Sequence, residues 1–117
     1  MSLHRLIGLS AGVAGAVGVA TLAVGAHAVT GANLDVAGNI LLFHAVALLA
    51  LANANGQRLR GLSALLFVAG CLLFSGELIF KAAMARTLFP MAAPSGGIAL
   101  ILGWFTVAIG SLLPRRP

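Results

Sequence analysis

Four side chains carry most of the chemistry this chain could perform: His27, His44, Glu77 and Lys81. All four lie inside long apolar runs. Ionisable groups in such runs are expensive, about 2.5–3.5 kcal/mol for a charge at mid-span on insertion scales, and they normally face the protein interior and find partners there. Glu77 and Lys81 are spaced i, i+4 with the acid first, the favoured order for an ion pair on one helix. This spacing predicts a self-neutralised pair, with the lysine reaching towards the headgroups. The other reading is a polar site in which His27, His44 and Glu77 converge and offer hydrogen bonds to a lipid or quinone. Counting along the runs places all three in the non-cytoplasmic half of the chain's span, about 10–12 Å from the outer helix ends for His44 and Glu77. Proton or ion transfer through the same groups is a third reading, ranked last because the charges are so few.

Other chemistries lack their parts. Two histidines on different helices could in principle ligate a b-type haem, but no i, i+3 or i, i+4 pairing supports it, so no cofactor and no metal are expected. The chain has no GxSxG, HExxH or phosphate-loop lysine pattern and only two acidic residues, so no catalytic residue is assigned and no enzyme is expected. Cys71 is the only cysteine, which excludes an internal disulfide, and its apolar surroundings fit a small core residue.

The elements that hold these residues are legible from composition. Of 117 residues, 61% are hydrophobic and 8% charged, against about 25% charged in a soluble domain. A water-soluble core of this size could not hide so much apolar surface. Four apolar segments, 6–29, 36–52, 61–84 and 94–113, are each long enough to cross the roughly 30 Å hydrocarbon layer as a helix. They are continuous rather than alternating, which favours helices over barrel strands. The first could be mistaken for a signal peptide ending in Ala26-His27-Ala28. It exceeds the usual signal core of about 7–15 residues and is expected to be retained. Thr30–Asp35, with Asp35 as a possible helix cap, Asn53–Arg60 and Ala85–Ala93 read as short connections, and Pro94 suits a first helical turn.

The expected fold is therefore all-α: one transmembrane domain, a four-helix bundle running up-down-up-down. Arg5, Arg58, Arg60, Arg115 and Arg116 gather at one end, Lys81 and Arg86 at the other. The excess of basic residues predicts both termini on the cytoplasmic side of a bacterial inner membrane. The net charge of +5 is not a nucleic-acid signal, because no basic stripe with interleaved aromatics exists. Gly8, Gly15, Gly18 and Gly25 on the first helix, and Gly96, Gly103 and Gly110 on the fourth, would let helix backbones approach closely. They serve either the bundle itself or docking with another membrane protein or another copy. Trp104 and the six phenylalanines are expected to fill the bundle or face lipid. The leading functional reading is a non-enzymatic accessory, assembly or structural subunit, with membrane lipids and a membrane protein as partners.

Four short motifs occur in order along the chain: GAHAV (25–29), FHAVALLAL (43–51), LFSGEL (73–78) and PSGGIALILGW (94–104). On these residues the chain resembles the domain-of-unknown-function family four-two-three, the YgdD-like small membrane proteins and their mitochondrial relatives. The resemblance implies a four-helix transmembrane bundle and brings no established activity. His27 and His44 match the family's positions in GAH and FHA. Glu77 stands where the family usually has serine, Ile79 where it has tyrosine, and the first loop is shorter than usual. The glutamate and lysine thus look particular to this protein or its subgroup.

Overall fold

A computed structural model describes residues 1–27 and 33–117. It contains four α-helices: α1 (Leu3–His27), α2 (Leu34–Ala52), α3 (Arg60–Met84) and α4 (Ala92–Leu112). All four are long and apolar enough to cross a membrane. The expected end of the first helix at 29, the first half of the first loop (30–32), and Ala28 of the small-x-small triplet lie outside the described residues. Asp35 does not cap α2. Asn33 occupies the cap position without a side-chain bond, and Asp35 sits in the first turn, where an acid still complements the positive end of the helix dipole.

Contacts along the helices fix their order. α1 packs on α2, α2 on α3 and α3 on α4; α1 touches α3 only lightly, and α4 makes no close backbone approach to α1 or α2. α2 and α3 thus form the inner pair of the bundle, with α1 flanking α2 and α4 flanking α3. Each outer helix joins its hairpin partner through a reciprocal pair of glycines. A Cβ on Gly18 would stand 3.2 Å from the Gly38 carbonyl oxygen, and one on Gly38 would stand 3.0 Å from that of Gly18. Gly70 and Gly96 repeat the arrangement at 3.0 and 2.8 Å. In each pair the residue one turn onward lies across the facing glycine, as Leu22 does over Gly38 and Leu100 over Gly70. Helices in lipid associate through such close packing because the surrounding tails are as apolar as the side chains.

The glycines named from sequence divide accordingly. Gly96 and Gly103 are closed against α3, and Gly110 against the Arg58 carbonyl just before α3. Gly18 and Gly25 are closed against α2, and Gly15 makes an ordinary contact with Ala45. A side chain at Gly8 would meet nothing within 4 Å. The core lies between α2 and α3, around Leu41, Leu48, Ala64, Phe67 and Cys71. Large apolar side chains such as Val19, Leu72, Phe105 and Ile109 are exposed on the outside, as a lipid solvent requires. Polar side chains of the core are bonded: Ser75 donates to the Ala37 carbonyl at 2.9 Å, tying α3 to α2. Among the described residues no buried side-chain nitrogen or oxygen lacks a partner.

The basic end is knitted by backbone carbonyls. The last carbonyls of α2 have no partner within the helix. Arg60 donates to those of Leu51 and Ala52, and His4 also bonds that of Ala52. Arg58 donates to Pro114, Arg115 to Asn55, and the Arg116 N–H to Gly56, so the α2–α3 loop and the C-terminal tail are joined.

Candidate functional site

His44 is buried and closer to Ala52 than to Leu34. Its Nδ1 is 2.7 Å from the Ile40 carbonyl oxygen, and its Nε2 is 3.1 Å from Trp104 Nε1. A carbonyl only accepts and an indole only donates. Nδ1 therefore carries the proton and Nε2 offers its lone pair, which makes the imidazole neutral with both nitrogens engaged. Phe67 completes the node, with its ring centroid 5.1 Å from His44 and 4.8 Å from Trp104. Each of the three residues comes from a different helix. Trp104 lies 60 positions from His44, so nothing local in the sequence joins them. The available signal was a mid-span tryptophan, whose N–H needs a partner once it leaves water.

The expected placement of His44 in the outer half is corrected. α2 ends at Ala52 while its start lies two residues earlier than expected, so His44 falls just past the middle, towards the basic end. Phe67 and Trp104 occupy the corresponding half of α3 and α4. Glu77 lies in the opposite half, near Met84.

Glu77 is buried at 5% exposure. Its Oε2 accepts the Leu88 N–H at 2.8 Å. The carboxylate reaches past the end of α3 and holds the backbone of the connection to α4. Lys81 is exposed and makes no ion pair with it. The expected pair is therefore replaced by a loop contact. Spacing of i, i+4 describes an isolated helix; here α3 buries the face bearing Glu77, while Lys81 lies on the surface one turn on. A backbone N–H that would otherwise lack an acceptor draws the carboxylate inward. Arg86 in the same connection lies over the Phe80 ring, 6.0 Å from its centroid.

His27 is exposed at the end of α1. No hydrogen bond joins any two of His27, His44, Glu77 and Lys81 among the described residues, and no group of three or more His, Cys, Asp or Glu there is placed to hold a metal. His44 and Glu77 are thus bonded in separate places, and His27 and Lys81 lie at the surface.

The open space lies elsewhere, on the loosely packed α1/α3 and α2/α4 sides of the bundle. Along α1 and α3, three adjoining hollows of about 310, 350 and 300 Å³ form one apolar groove. It runs from Leu3 and Gly61, past Val17 and Ile79, to Val24 and Ala83. From Gly61 to Ala83 this is roughly 33 Å of helix, about the thickness of the hydrocarbon layer. Along α2 and α4 a second hollow of about 380 Å³ is lined by Phe43, Val46 and Trp104 and ends at Gln57 and Ser111.

No solved structure matches the chain. The model of one family, Protein of unknown function (DUF423), matches residues 14–97, from the middle of α1 to the first turns of α4. The match takes in His27, His44, Glu77 and Lys81 and stops before Trp104, and by its extent this four-helix, multi-pass membrane chain belongs to the DUF423 family.

Proposed function

We propose that the protein is a non-enzymatic accessory subunit that receives a transmembrane helix of a larger membrane complex in the α1/α3 groove. The observation that carries this reading is the groove itself, open over a full membrane crossing on a chain whose buried polar side chains are, among the described residues, internally bonded. Small residues such as Ala14, Gly61, Gly76 and Ala83 along it suit close helix approach. The docking face differs from the one expected from glycine content, since most of those glycines are closed within the hairpins. Five arginines at one end against Lys81 and Arg86 at the other favour an up-down-up-down arrangement in the bacterial inner membrane with both termini cytoplasmic. The reading requires no cofactor. A quinone or lipid headgroup site built from His27, His44 and Glu77 has less support, because the three do not converge.

Gly76 provides the test. It lines the groove, and a Cβ there would meet nothing within 4 Å, so Gly76→Leu fills the groove without disturbing the bundle. Native mass spectrometry of protein released in mild detergent is expected to show a stoichiometric membrane partner that the variant loses. A wild-type spectrum of monomer carrying only lipid, or a complex indifferent to Gly76→Leu, rejects the proposal.

A further inference from the structure

The arginine end contains no Asp or Glu side chain; Asp35 and Glu77 both lie towards the opposite end of the helices. Arg5, Arg58, Arg60, Arg115 and Arg116 are thus uncompensated by any acidic side chain. Arg58 and Arg115 straddle the seam between the α2–α3 loop and the C-terminal tail, each giving one N–H to a backbone carbonyl. Their remaining guanidinium N–H groups have no protein partner among the described residues. Gln57, next to Arg58, and Ser111, near the tail, form the lip of the α2/α4 hollow. Neither arginine lines the hollow itself, an apolar slot that runs from beside the loop-and-tail seam carrying Arg58 and Arg115 to Trp104.

We propose that this slot is a binding site for an anionic phospholipid. The headgroup phosphate lies between Arg58 and Arg115, and one acyl chain runs along Phe43 and Val46 to the Trp104 ring. The charge selects an anion, and the apolar slot beneath it selects a lipid over free phosphate. The site is separate from the α1/α3 groove and does not depend on the partner proposed for that groove.

Trp104 is the only tryptophan, and the chain has no tyrosine, so its fluorescence reports on the slot. The experiment reconstitutes the full chain in bilayers and compares quenching by phosphatidylglycerol and by phosphatidylcholine, each brominated at mid-chain. The expected result is a roughly tenfold preference for the anionic lipid, abolished in Arg58→Gln/Arg115→Gln and kept in Arg58→Lys/Arg115→Lys. Equal quenching by the two lipids in the wild type overturns the proposal, as does a preference that survives the double glutamine variant. Should that variant fail to fold, wild-type protein in about 1 M salt decides: the preference falls if the arginines create it, and an unchanged preference overturns the proposal.

Discussion

Trp104 donates its indole N–H to His44 Nε2 at 3.1 Å, and among the described residues this is the one hydrogen bond between α2 and α4. The two helices make no close backbone approach, so the bond bridges them across the α2/α4 hollow. Trp104→Phe removes the donor and leaves a buried imidazole nitrogen unpaired, which is expected to destabilise the protein by about 1–2 kcal/mol. His44→Leu strands the indole N–H and is expected to act in the same direction. A double-mutant cycle from thermal unfolding in detergent is expected to give a coupling of about 0.5–1.5 kcal/mol. Additive effects would show that the contact does not couple the helices.

Glu77 and Lys81 are expected to behave as unrelated residues. Glu77→Gln keeps an oxygen for the Leu88 N–H and should change stability little. Glu77→Leu removes the acceptor and is expected to cost about 1–3 kcal/mol and to speed hydrogen exchange at the Leu88 amide. Lys81→Met, at an exposed position, is expected to stay within about 0.5 kcal/mol. Equal losses from Glu77→Leu and Lys81→Met would restore the ion pair as the governing contact.

The contrast between these two sites explains what the sequence could and could not disclose. The helices were legible because each is a continuous apolar run of membrane length, bounded by Asn-Gly, Pro or arginine. The Glu77–Lys81 spacing misled because a helical period describes neighbours on one surface and is blind to a backbone N–H arriving from the next loop. The His44–Trp104 bond was illegible because its geometry is set by α2 and α4 both packing on α3. Gly38 and Gly70 were overlooked for a related reason. Each matters through a single glycine on the facing helix, whereas the sequence draws attention to the glycine-dense helices α1 and α4.

Glycine substitutions should separate closed from open positions. At Gly96 a Cβ would stand 2.5 Å from the Phe74 backbone nitrogen, and at Gly70 it would stand 2.5 Å from a Leu100 methyl group. Gly96→Ala must separate two backbones and is expected to lose about 1–3 kcal/mol. Gly70→Ala should lose less, because a leucine can turn aside. Gly8→Ala and Gly12→Ala meet nothing within 4 Å and are expected to be neutral or slightly stabilising, since alanine favours helix by up to about 1 kcal/mol. Unfolding temperatures of the four variants, measured in one detergent, test the order.

Ala85 ends α3 in the left-handed region, at φ 56° and ψ 28°, with its N–H returning to the Lys81 carbonyl. An L-residue with a Cβ is held there against a penalty of about 1–2 kcal/mol, whereas glycine adopts the same conformation freely and is the usual residue just past a helix end. The Ala85 side chain is exposed, so removing its methyl group sacrifices no buried contact. Glycine also gives the unfolded chain more freedom, which offsets part of the gain. Ala85→Gly is therefore expected to raise stability by roughly 0.5–1 kcal/mol while leaving the Glu77–Leu88 bond in place. A loss of stability on thermal unfolding would mean that the turn after α3 is not left-handed in the membrane, and the reach of Glu77 to Leu88 would then need another geometry.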